Sequence, residues 1–158
     1  MTFDKQILTE DAVRASGITT HHERMGNGEL RFRLTADDGS GYIRTVANET
    51  GGWQNSHYHE AVLERYISQH DWMALAELVD HEVLWHFLLP GDVYTTRPKI
   101  SHNVYLPAHA VIHTVKHGTV AGGVDWYADT VLDSMTKPVQ EEDIRRRMSR
   151  MSSMGKVT

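Results

Sequence analysis

The sequence contains no cysteine. Disulfides, thiolate metal ligands and a thiol nucleophile are therefore excluded, and the composition fits a reducing compartment, so a cytoplasmic location is expected. Positive charge is not in excess. Sixteen Lys and Arg against 21 Asp and Glu give a formal charge of -5, without the basic face that nucleic acid requires. No apolar run approaches the ~20 residues of a spanning helix, and Met1-Thr2-Phe3-Asp4-Lys5 has no signal-peptide profile. These absences point to a soluble protein with neither a membrane nor a nucleic-acid partner. What remains is ordinary: 158 residues, 40% hydrophobic and 23% charged, fit one globular domain with a real core.

Histidine is the compositional signal. Nine of the 11 histidines lie between His57 and His117. The densest arrangement is Gly51-Gly52-Trp53-Gln54-Asn55-Ser56-His57-Tyr58-His59-Glu60-Ala61-Val62-Leu63-Glu64. On an extended strand, residues i and i+2 share a face, so His57 and His59 can present two imidazoles together. Imidazole nitrogen and carboxylate oxygen are the usual protein ligands of a divalent metal that keeps an open coordination position. His102 lies downstream, past Pro90-Gly91-Asp92 and Arg97-Pro98-Lys99, and can complete a site of three histidines with Glu64.

The stretch from Gly51 to Glu64 resembles the first cupin motif: a glycine, five residues, His-x-His, four residues and a glutamate. Gly91 to His102 is similar to the second, with ten residues between its glycine and its histidine. Pro98 falls one place late, Lys99 stands where the family has glycine, and Leu106 where it has asparagine. Asp71 replaces the glycine expected after the glutamate. The resemblance implies an all-β fold, a single antiparallel jelly-roll barrel over residues 30–120. It would hold one divalent transition metal (Fe, Mn, Ni or Zn) on His57, His59, Glu64 and His102.

The rest of the chain fits such a barrel. Thr9 to Gly17 reads as a short helix with Thr9 as N-cap, acids in its first turn and a glycine stop. With it, residues 1–29 are expected as a helical and loop arm, in which His21-His22-Glu23 is solvated surface. Leu30 to Thr35 alternates apolar and polar residues, as a half-buried strand does, and Asp37 to Gly41 turns it into a second strand, Tyr42 to Val46. Residues 60–79 hold many good helix formers, but the flanking strands need partners, so strands are expected there. Val83 to Leu89 and Val93 to Thr96 read as strands. His102 to Leu106 and Ala110 to Lys116 read as a final hairpin around Pro107-Ala108-His109. After Gly122-Gly123, residues 121–158 are expected as a flap at Asp125-Trp126-Tyr127 and a helix from Gln140 to Met151. Ile144, Met148 and Met151 form that helix's stripe, Arg145-Arg146-Arg147 its solvated face, and the tail from Ser152 is loose.

A centre of this composition can polarise a carbonyl for isomerisation, epimerisation or elimination, bind O2 as a ferrous oxygenase, or merely hold a ligand. The first is favoured, with a sugar-like or keto-acid small molecule as substrate and a homodimer as the assembly. Tyr66, two residues past Glu64, faces the same interior and is the leading catalytic candidate, with Glu60 as the alternative carboxylate. Trp53, Tyr58, Arg97 and Lys99 are the candidates for substrate binding, the last two as an anion clamp at the barrel mouth.

Overall fold

A computed structural model describes residues 5–120 and 124–154. The strands are β1 (Ile18–Arg24), β2 (Leu30–Ala36), β3 (Gly41–Val46), β4 (Gly52–Trp53), β5 (His57–Tyr58), β6 (Leu63–His70), β7 (Met73–Val79), β8 (Glu82–Leu88), β9 (Val93–Thr95), β10 (His102–Leu106), β11 (Val111–His117) and β12 (Tyr127–Ala128). The helices are α1 (Glu10–Ala15), α2 (Thr130–Thr136) and α3 (Glu141–Met154). One sheet runs β1-β2-β3-β11-β6-β9, the other β12-β5-β10-β7-β8 with β4 also on β10. The strand pairings are antiparallel, and the architecture is a jelly roll with helices near its ends. Among the described residues, no helix is long and apolar enough to cross a membrane.

Residues 60–79 are strands, as expected. β6 pairs with β11 and β9, and β7 with β10 and β8. β7 resembles a helix in sequence because it is buried on both faces, which erases the period-two alternation. Met73, Leu75 and Glu77 point into the barrel, whereas Trp72 and Ala74 pack outward with Tyr105 and Ile144 of α3. Ile144 is fully buried and Met148 packs partly, but Met151 is 50% exposed, so the helix stripe ends there. The arginine run is largely exposed as expected, with Arg145 resting over Trp72 and Arg147 over Trp85, each 5.0 Å from the ring centroid.

Three expectations need revision. His102–Leu106 and Val111–His117 are not hairpin partners: β10 and β11 lie in different sheets, and the segment at Pro107 is a corner between them. Residues 18–24 of the expected N-terminal arm form β1, paired with β2 along its whole length. The flap also contains a helix, α2, beyond what the sequence predicts; Asp129 caps it by accepting from the backbone N–H groups of Val131 and Leu132. The helix α3 continues through Ser152 to Met154, while Gly122-Gly123 and the last four positions lie outside the described residues.

The first-motif glycine has a packing reason. Gly51 has φ +70°, and a Cβ there would meet the Leu106 carbonyl oxygen at 2.5 Å. Only glycine combines that conformation with that approach, which seats β4 on β10 just before His57.

Candidate metal centre

His57 sits on β5, opposite His102 on β10 in the ladder, so both rings rise from one face of one sheet. Glu64 comes from β6 in the facing sheet, and His59 from the turn between β5 and β6. One ligand atom from each of the four residues lies within 4.8 Å of the others, and all four side chains are buried. His102 Nε2 is 2.9 Å and His57 Nε2 3.3 Å from Glu64 Oε2, and His59 Nε2 is 3.4 Å from Glu64 Oε1.

The opposite edge of each ring is occupied by backbone. The Nδ1 atoms of His57, His59 and His102 face the carbonyl oxygens of Asn55, Asp125 and Ile100 respectively. A neutral imidazole donating from Nδ1 presents a bare Nε2 lone pair, and here three such lone pairs converge on a carboxylate. Protonating all of them would bury extra positive charge, and burial already lowers the pKa of His57. Among the described residues, His59 Nε2 is buried without a hydrogen-bond partner. A cation is what this donor set accepts, and the backbone carbonyls fix the tautomer that a metal-bound histidine needs. The residues therefore fit one metal ion, whose identity they do not specify.

Burial alone would raise the Glu64 pKa, but the surrounding His102, His57 and His59 imidazoles and the Lys116 charge outweigh it and hold Glu64 well below its ordinary value. Tyr66 donates its hydroxyl to Glu64 Oε2 at 2.6 Å. Burial, the Glu64 charge and that hydrogen bond all push its pKa well above 10, so it remains a proton donor.

No protein-family model and no curated protein matches the sequence. Solved structures do match. Oxalate decarboxylase from Bacillus subtilis at pH 4.6 superposes with a TM-score of 0.57 at 13% identity, covering 80% of this chain and 36% of that one. A tryptophan-to-phenylalanine variant of the same enzyme gives 0.58 at 13% identity over 80% and 37%. A CENP-C domain of Drosophila melanogaster gives 0.51 at 10% identity over 71% and 85%. The chain has the cupin fold. It spans little more than a third of the length of the oxalate decarboxylase chains, one of which is described with Mn(II) centres.

Two cavities share His57 of the ligand cluster in their lining. The inner one, about 140 Å³, is bounded by His57, Glu64, Tyr66, Lys116, Arg31 and Arg33 among others. The outer one, about 450 Å³, shares Arg31, Arg33, Gln54, His57 and Trp126 with it and adds Trp53 and Asn55. β2 is thus inverted relative to the usual amphipathic strand. The side chains of Arg31 and Arg33 are 19% and 16% exposed, whereas Phe32 and Leu34 on the outer face are 40% and 41% exposed. Arg31 is held by Glu29, which also accepts from Gln54, and Arg33 by Glu23. Lys116 lies opposite Glu64 in the β11–β6 ladder, its Nζ 3.1 Å from Glu64 Oε1.

The other candidates divide. Trp53 lines the outer cavity and donates its indole N–H to the Val139 carbonyl. Tyr58 alternates away and stacks on Tyr127 with centroids 5.1 Å apart. Glu60 is exposed on the turn, its backbone N–H bound to Asp125, and its side chain is not part of the cluster. Arg97 and Lys99 do not form the expected clamp, for neither lines the two cavities. Arg97 donates to Glu77, which is buried and also accepts from His86 and Tyr94 at the seam between β8 and β9, and Lys99 is an exposed turn residue with φ +63°. The arginines that do face the centre escape a sequence reading because alternation ordinarily turns the apolar side chains inward. The lysine at position 116 carries no local signal; only its pairing with Glu64 reveals it.

Proposed function

We propose that this protein is a metal-dependent enzyme performing lyase- or isomerase-type carbonyl chemistry on a small anionic substrate of the keto-acid kind. The observation that carries the reading is the cationic inner wall: Arg31, Arg33 and Lys116 bound a chamber of about 140 Å³ beside the four ligands. That volume lies below the ~300 Å³ at which pockets for drug-sized ligands begin, so it favours a molecule of few heavy atoms over a sugar nucleotide. Three cationic residues at the wall face three carboxylates, Glu23, Glu29 and Glu64. With formal charges cancelling among them, a divalent ion leaves the chamber positive, which is complementary to a carboxylate.

In this reading a bound metal supplies Lewis-acid polarisation of a substrate oxygen. Lys116 and the arginines orient the substrate carboxylate by charge-assisted hydrogen bonds. Tyr66 keeps Glu64 fixed, and Tyr66 and Lys116 both carry protons at the chamber wall. Trp126, exposed at the rim, limits access of bulk water. The same reading keeps the protein cytoplasmic and homodimeric, the second copy covering Phe32, Leu34 and Tyr42 on the outer sheet face.

The test is an anaerobic assay of metal-loaded protein over a panel of C3 to C5 keto acids and hydroxy-keto acids, in D2O and followed by NMR. Deuterium incorporation beside the carbonyl, elimination or decarboxylation without O2 is the expected result. Turnover strictly dependent on iron and O2 would replace this reading with a dioxygenase, and ligand binding without any chemical change would make the protein a binding module.

A further inference from the structure

Residues 124–128 form a short strap whose contacts converge on the metal cluster. The Asp125 carboxylate accepts hydrogen bonds from three consecutive backbone N–H groups, Glu60 at 2.8 Å, Ala61 at 3.0 Å and Val62 at 2.8 Å. Those residues are the turn that joins the ligand His59 to the strand carrying Glu64. The backbone carbonyl of the same residue accepts from His59 Nδ1. Its neighbour Trp126 stacks on the His57 ring, with centroids 5.3 Å apart and planes 24° apart. Tyr127 and Ala128 then pair with Tyr58 and His57 as β12 on β5. A single segment more than 60 residues away in sequence therefore meets the edge of one ligand ring, the face of another and the approach to a third.

Asp125 is not explained as a generic surface acid. Its desolvation is outweighed by the N–H groups of Glu60, Val62 and Ala61, which lower its pKa, so the carboxylate is the anion of a small backbone nest. That anchor, together with the β12–β5 pairing, holds the 125 carbonyl against His59 and Trp126 over His57.

We propose that Asp125 is a positioning residue of the metal centre and that strap and metal are coupled. The strap fixes the His59 tautomer and the His57 ring plane, which raises metal affinity. By reciprocity, bound metal tightens the strap and holds Trp126 at the rim. The proposal rests on the assignment of His57, His59, Glu64 and His102 as the centre, and is independent of the reaction proposed above.

The test uses full-length protein stripped with a chelator and titrated with Co2+, whose visible bands report ligand geometry, while tryptophan emission is recorded. The variants are Asp125→Ala, Asp125→Asn and Trp126→Phe. Asp125→Ala is expected to weaken Co2+ binding by about 10–100-fold, the usual effect of losing an outer partner of a ligand, and to alter the visible bands. Asp125→Asn, which keeps one oxygen acceptor, is expected between Ala and wild type. Wild type is expected to lose Trp emission on Co2+ binding, and Trp126→Phe to lose most of that quenching. Wild-type affinity and bands in both Asp125 variants would overturn the coupling while leaving the centre intact. If Asp125→Ala does not fold, the Asn variant decides by the same criterion. Absence of Co2+ binding to the wild type would instead overturn the centre itself.

Discussion

Tyr66 and Glu64 stand two residues apart on one strand, their side chains joined by a 2.6 Å hydrogen bond inside the barrel. The tyrosine is the fixed donor and the carboxylate the fixed acceptor, because their environments push the two pKa values in opposite directions. Tyr66→Phe removes that donor without changing the packed volume much. Hydrogen bonds to charged groups contribute roughly 1.5–3 kcal/mol, so metal affinity is expected to fall by about 10–100-fold while the fold persists. Isothermal titration of Mn2+ or Co2+ into the stripped variant checks this.

The metal-free protein should lose stability as pH falls, in two ranges. The folded-state pKa of His57 lies below its ordinary 6.5, chiefly because of burial, so the folded state resists the proton. That contribution is whole above pH 6.5 and shrinks as pH falls towards the folded value. Glu64 is also depressed, below its ordinary 4.5, so its contribution is present above that pH and disappears as pH falls through the folded pKa. Urea midpoints of metal-free wild type and Glu64→Gln from about pH 8 to about pH 3 test the sign. The lower step should be smaller in the variant, the remainder coming from other carboxylates with lowered pKa values such as Glu77, Asp125 and Asp133. Metal release should coincide with imidazole protonation, as neutral ligands are required.

Arg33 offers a clean probe of the proposed anionic substrate. Its partner Glu23 is 41% exposed, so Arg33→Met strands no buried charge, unlike removal of Arg31 from the 2% exposed Glu29. Arg33→Met should raise KM for a carboxylate substrate by about tenfold or more, the scale of a lost charged hydrogen bond. A neutral ester analogue should be nearly indifferent. Steady-state kinetics on the acid and its ester separate the two.

The turn between β7 and β8 contains strain that can be relieved. Asp80 and His81 have φ +49° and +67°, the conformation of a two-residue hairpin turn that favours glycine, yet neither is glycine. Both residues are exposed. His81→Gly should stabilise the protein by about 1 kcal/mol, since a left-handed residue costs roughly that much. Thermal denaturation of the single variant is sufficient to check it.

Much of this fold was legible in the sequence because the cupin-like spacing of Gly51, His57, His59, Glu64 and His102 is a geometric statement. It predicts that two facing strands and one turn meet. Three features were not legible, each for a physical reason. Arg31 and Arg33 point inward, against the usual amphipathic rule, because the interior near the metal cluster is a polar chamber rather than oil. The edge strand β1, Ile18-Thr19-Thr20-His21-His22-Glu23-Arg24, is almost wholly exposed and so lacks the alternation that marks half-buried strands. Asp125 acts across more than 60 residues, and no local pattern announces that its carboxylate will hold the turn after His59.

His57, His59, Glu64 and His102 are expected to hold a metal ion together. Metal analysis by plasma mass spectrometry on freshly purified wild type and a His57→Ala/His59→Ala double variant, with circular dichroism confirming that both are folded, tests it most directly. About one transition-metal ion per chain is expected in the wild type, and a near-complete loss in the variant. Equal metal content in the two proteins would contradict it.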